Sequence, residues 1–125
     1  MRIVPAAALL LFAAVPAHAT QGLLCRAESG GLPRISLVIG AGGIAGASLD
    51  ENGRWVSTMS PSAQLVLAQA WIDRAQVMAD IVSPAWDMVA QLRVRFEPLV
   101  RGRPRAARGT LTLRGRTFRV RCEED

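Results

Sequence analysis

Arginine is the residue type with the most capacity for chemistry in this chain. Ten arginines fall within residues 93–121, where Glu97 is the one carboxylate, giving a local net charge of +9. Guanidinium forks bind phosphate and carboxylate bidentately, and a cluster of them raises the local concentration of polyanions. Arg93, Arg95, Arg114, Arg119 and Arg121 alternate with apolar residues, so on neighbouring strands they would project from one solvent side. Arg101, Arg103, Arg105 and Arg108 would extend that surface from an adjoining loop. These nine residues form a candidate anion-binding set. The competing reading is a solvated sheet face whose charge blocks edge pairing.

The rest of the chemical inventory is sparse. From Thr20 onward there is no His, Lys or Tyr. That removes Ser–His and Cys–His nucleophile pairs, Ser–Lys dyads and Schiff-base lysines; with its cysteines paired, it also removes His- or thiolate-bound metals. The chain reads as non-catalytic and without a cofactor. Paired carboxylates could still do acid–base work. Asp50-Glu51 flank a tight turn, however, and Asp73, Asp80 and Asp87, seven residues apart, align on a helix but not on strands. Turn and surface positions are the simpler account of them. Residues 35–48, ISLVIGAGGIAGAS, imitate a dinucleotide fingerprint. The required following helix and distant acid are missing, so Gly42-Gly43 reads as a hairpin turn. Trp55, Trp71 and Trp86 could stack sugars, but large aromatics in a small domain are more often core.

The only histidine, His18, belongs to an N-terminal segment built like a secretory signal. Arg2 supplies the positive end and Ile3 to Val15 the apolar run. Pro16-Ala17-His18-Ala19 ends in a small-x-small pattern, placing cleavage between Ala19 and Thr20. The run is too short for a transmembrane helix, and Leu23-Leu24 before Cys25 does not suit lipidation. The expected location is periplasmic or secreted. Removing residues 1–19 leaves 20–125 as one domain, with fourteen arginines against ten carboxylates, a net of +4. In an oxidising compartment Cys25 and Cys122 read as a disulfide joining the two ends. Closing so long a loop contributes about 4–5 kcal/mol.

The elements that would position these residues read mostly as strands. Leu23 to Arg26 fits a first strand. Ile35, Leu37 and Ile39 alternate with polar or outward residues, as do Leu92, Val94 and Phe96. Asn52-Gly53 marks a hairpin that pairs Glu51 with Arg54 and Leu49 with Val56. At the C-terminal end, Gly115-Arg116 suits a type II′ turn pairing Arg114 with Thr117, Leu113 with Phe118, Thr112 with Arg119 and Leu111 with Val120. Cys122 continues the inward series, so the disulfide is expected to be buried. Pro98 to Gly109 reads as a loop. Residues 63–82 fit either an amphipathic helix capped at Ser60-Pro61 or a hairpin about Asp73-Arg74. The β surroundings favour the hairpin.

Leu24-Cys25-Arg26, Gln69-Ala70-Trp71-Ile72-Asp73 and the stretch from Gly115 to Glu123 resemble motifs of small, uncharacterised secreted proteins of alphaproteobacteria with a terminal cysteine pair. The resemblance covers most of the chain after the signal. It implies a compact β-rich domain and no established activity, and it supports strands in the middle.

The expected fold is therefore mainly β, a small antiparallel sandwich or barrel closed by one N-to-C-terminal disulfide. The alternative is an α+β fold with a helix at about 61–82. The function itself is not set by the sequence. The expectation is an exported, non-catalytic small domain and a monomer. Binding of anionic envelope components, namely anionic lipid, lipopolysaccharide or acidic glycan, through the Arg-rich face is its candidate activity, beside the solvated-face reading. The alternative is a protein-interaction module, such as an inhibitor of an envelope hydrolase. Nucleic acid is a poor partner, because no aromatics interleave the arginines.

Overall fold

The computed structural model describes residues 21–59, 61 and 63–125. The expected signal peptide, its cleavage point between Ala19 and Thr20, and His18 lie outside the described residues. Among the described residues, nine strands follow in chain order: β1 (Gln21–Ala27), β2 (Arg34–Gly40), β3 (Gly43–Asp50), β4 (Trp55–Ser57), β5 (Val66–Ile72), β6 (Gln76–Val82), β7 (Met88–Phe96), β8 (Ala106–Leu113) and β9 (Arg116–Glu124). All pairings are antiparallel, in the spatial order β4-β3-β2-β1-β9-β8-β7-β6-β5. The fold is all-β, a single sheet curled into a half-barrel rather than two stacked sheets. The curl brings β3 towards β5, and just before β5 the Gln64 and Leu65 amides donate to the carbonyl of Ser57, the last residue of β4. No helix among the described residues is long and apolar enough to cross a membrane.

Alternation decides which side chains line the inside of the curl. Leu23, Ile35, Leu37, Leu49, Val77, Ile81, Leu92, Leu111 and Val120 are among those fully buried there. At about 25 cal/mol per Å² of apolar surface removed from water, this aliphatic interior is the main stabilising term. Cys25 and Cys122 sit directly opposite each other on β1 and β9, bonded and fully buried, with a Cα–Cα distance of 3.9 Å. Because β1 and β9 are central in the order, the first and last described strands meet in the middle of the sheet, not at its margin.

The helical alternative over 61–82 is not adopted. β5 and β6 form a hairpin, with a bulge that leaves Ala68 unpaired between Leu67↔Ile81 and Gln69↔Asp80. That one extra residue breaks the two-residue alternation and makes the stretch imitate a helical period.

Two turns differ in detail from expectation. The C-terminal hairpin turns on Arg114-Gly115, not on Gly115-Arg116, and pairs Leu113 with Arg116, Thr112 with Thr117 and Leu111 with Phe118. Both turn residues have positive φ, 47° and 84°, as a type I′ turn requires, and that turn matches the strand twist. The arginine is held there by its Nε, which donates to Glu51 Oε1 at 3.1 Å. The shift moves each partner by two residues, so every side chain keeps its face. The β2–β3 turn falls on Ala41-Gly42, one residue before Gly42-Gly43. The Asn52-Gly53 hairpin keeps its expected register, Leu49↔Val56.

The tryptophans are not core, contrary to expectation. Trp55, Trp71 and Trp86 are 44%, 55% and 69% exposed and sit on β4, on β5 and in the β6–β7 loop. Aliphatic side chains already fill the curl, leaving the bulkier rings outside.

Candidate anion-binding surface

The outward positions of five adjacent strands carry arginine at the same level. Arg34 on β2 lies opposite Arg26 on β1, and Arg26 lies opposite Arg121 on β9. Arg121 lies opposite Arg108 on β8, and Arg108 opposite Arg95 on β7. Neighbouring strands lie about 4.8 Å apart, so this is a continuous row of arginine positions running across the strands. Asp50 closes one end and Gln76 the other. The disulfide sets the middle of the row, because Arg26 and Arg121 are each next in sequence to a bonded cysteine.

Like charges directly opposite on a sheet destabilise it, and the row has four such junctions. The protein offsets them in part. Arg34 is half-buried and pairs with fully buried Asp50, its Nε reaching Oδ2 at 3.1 Å, while the amide of Gly53 donates to Oδ1 at 2.6 Å. Arg108 Nε lies 2.8 Å from Glu97 Oε1, and Arg121 Nε 3.9 Å from Glu123 Oε1. Both pairs are exposed, where such contacts contribute about 0–1 kcal/mol. Arg26 and Arg95 form no ion pair among the described residues. An open hollow of about 620 Å³ lies over the middle of the row. It is lined by Arg26, Arg108 and Arg121, and carboxylates of Glu28, Glu123, Glu124 and Asp125 also border it.

The nine candidate arginines divide. Arg95, Arg108 and Arg121 belong to the row, and Arg93 and Arg119 flank it one level away, both facing Thr110. Arg93 is already engaged: its Nη2 lies 2.8 Å from Asp80 Oδ1, although that oxygen accepts no well-directed hydrogen bond. Arg101 and Arg103 stand exposed in the β7–β8 loop. Arg105 is a structural residue. Its guanidinium stacks 3.5 Å from the Phe96 ring centroid and donates to the Arg74 carbonyl at 2.7 Å. Arg114 is spent in its turn.

Arg26 and Arg34 were missed by composition, because they lie far in sequence from the basic segment. The pairing of Cys25 with Cys122 was the signal that could have found Arg26, since opposite cysteines force Arg26 against Arg121.

The carboxylates considered for acid–base work do not converge. Asp80 lies in the middle of β6, Asp87 in the β6–β7 loop and Asp73 in the β5–β6 turn. No group of three His, Cys, Asp or Glu that could hold a metal occurs among the described residues. Asp73 caps its turn. Oδ2 accepts from Trp71 Nε1 at 3.0 Å, and Oδ1 from the amides of Ala75 and Gln76 at 2.7 and 2.8 Å. The Trp71 hydrogen bond first, then the two amides, hold its carboxyl below the ordinary 3.8, and the Arg95 charge adds to them. A depressed folded pKa stabilises the fold above the unfolded value and loses that effect as pH falls through the folded one. We expect an NMR titration to place the Asp73 midpoint below 3.8, with the Trp71 indole N–H shifting in step. A midpoint at or above that value would contradict the capping role.

Comparison with protein-family models, with curated proteins and with solved structures finds no match. The functional reading therefore rests on the geometry and charge of the chain itself.

Proposed function

We propose that this chain is an exported, non-catalytic domain that binds anionic components of the cell envelope through the arginine row. The observation carrying the reading is the direct opposition of Arg34, Arg26, Arg121, Arg108 and Arg95 across five neighbouring strands. A surface needed only for solubility gains nothing by stacking like charges at strand spacing; interspersed signs serve better. A polyanion laid across the strands would meet Arg26 and Arg95, unpaired among the described residues, and the exposed, weakly paired Arg108 and Arg121, and would relieve the repulsion. Arg34, held by Asp50, closes the row. The Cys25–Cys122 disulfide is consistent with an oxidising location outside the cytoplasm.

The test is retention on heparin and on anionic vesicles as salt is raised. Each arginine near an anionic surface contributes about 1 kcal/mol. The triple variant Arg26→Gln/Arg108→Gln/Arg121→Gln should therefore bind roughly 100-fold more weakly. Its fold should hold, because these side chains are exposed. Unchanged retention in a folded triple variant would end this assignment.

A further inference from the structure

The sheet end where β7 passes into β8 carries features that the arginine row does not use. Leu99 and Val100 are adjacent in loop 97–105 and are 78% and 55% exposed, Leu99 being the most exposed large apolar residue described. Arg101 and Arg103 follow them, both exposed. Arg74, from the β5–β6 turn, shares an open hollow with Leu99, Pro98 and Phe96. Trp71, more than half exposed, precedes that turn at the same end of the sheet.

Charge around this tip is one-sided. The nearby carboxylates already have partners: Asp73 is held by Trp71 and turn amides, Glu97 by Arg108 at 2.8 Å, and Glu124 by Arg105 at 3.8 Å. Arg74, Arg101 and Arg103 form no ion pair among the described residues. Glu123, opposite Ala106 at the β8 end of the loop, lies 3.9 Å from Arg121, and Asp125 stands over Gly22 on β1. The tip is also preformed. Gly102, at φ +79°, turns it, and the Arg103 amide donates to the Val100 carbonyl at 3.1 Å. At its base the Glu97 amide donates to the Ala106 carbonyl at 2.8 Å, and Arg105 stacks on Phe96. A preformed tip loses little conformational freedom on binding.

Exposed apolar side chains next in the loop to unpaired Arg101 and Arg103, with Arg74 sharing the hollow of Leu99, match one kind of surface. Peripheral membrane anchors sink apolar groups to the headgroup–acyl boundary while cations meet the anionic headgroups. An acidic glycan would satisfy the arginines but offer Leu99 and Val100 no apolar phase. Resting on the anion-binding reading above, we infer that loop 97–105 docks the protein onto an anionic lipid bilayer. Leu99 and Val100 enter the boundary, and Arg74, Arg101 and Arg103 face headgroup phosphates.

The test compares the natively processed protein with two loop variants on vesicles of phosphatidylcholine containing phosphatidylglycerol, and in parallel on heparin. Leu99→Asn/Val100→Asn should partition onto the vesicles at least about tenfold more weakly, from the apolar area withdrawn. Its heparin retention should be unchanged. Leu99→Phe/Val100→Phe should partition more strongly than wild type. All three proteins share one N-terminus, so the differences report on the loop. Equal partitioning of the three, or wild type held by heparin but not by vesicles, overturns the lipid assignment and leaves the anion-binding reading standing. Failure of that earlier reading shows separately, as heparin retention that ignores the arginine-row triple variant.

Discussion

Replacing Cys25 and Cys122 together by alanine is expected to lower the unfolding free energy by about 4–5 kcal/mol. The bond joins residues 97 apart in sequence, so it closes nearly the whole described chain into one loop and removes much of the unfolded state's freedom. For a domain of this size the loss corresponds to a drop in Tm of roughly 20–30 °C. That is a large share of the ~5–15 kcal/mol by which domains are usually stable. Thermal melts of the double variant, and of wild type with and without a strong reductant, measure it. A shift below about 1 kcal/mol would show that the β1–β9 ladder holds without the bond. Because that ladder sets Arg26 against Arg121, a loosened variant should also lose part of its heparin retention.

The second large effect is expected at Gly109, which lies opposite Val94 on β7 and Val120 on β9. A Cβ there would collide with the Arg93 carbonyl oxygen and come within 2.7 Å of Val94 Cα and 2.9 Å of Arg93 C. All three are backbone atoms of a paired strand, so no rotamer change relieves the clash. Only opening the β7–β8 pairing does. Gly109→Ala should therefore cost about 3 kcal/mol or more, the upper range for overpacking. Gly46→Ala is the control. Its Cβ would approach the Met59 side chain, with Sδ at 2.7 Å. A flexible thioether can move aside, and the cost should be markedly smaller. Denaturant unfolding of both variants decides the matter; equal small losses would mean that the sheet yields at Gly109 as readily as Met59 does. Glycine at a tight bend is how a strongly curled sheet lets two backbones approach.

Much of the architecture was legible locally. The inward residues of β7 and β9 follow from two-residue alternation, which a register error of two residues leaves intact. The C-terminal hairpin is the example: its turn moved by one position while Leu111, Leu113 and Val120 stayed inside. Residues 66–82 were harder, because the unpaired Ala68 interrupts the alternation and copies a helical stripe. The tryptophans were misread for a different reason. Ring size argues for burial in general, but the volume inside the curl was already taken by Leu, Ile and Val side chains.

The amino-acid order by itself determined the strand pattern, the paired cysteines and the concentration of arginine near the C-terminus, because each depends on residue type and short spacing. Only the tertiary structure decided which arginines stand together. Cross-strand neighbours are chosen by strand order, and β1 pairs with β9 across almost the full length of the chain. That pairing brings Arg26 and Arg34 to the basic segment, while local packing withdraws Arg105 and Arg114 from it. Contacts between residues so distant in sequence leave no local pattern, so the row exists only once the sheet has closed on its disulfide.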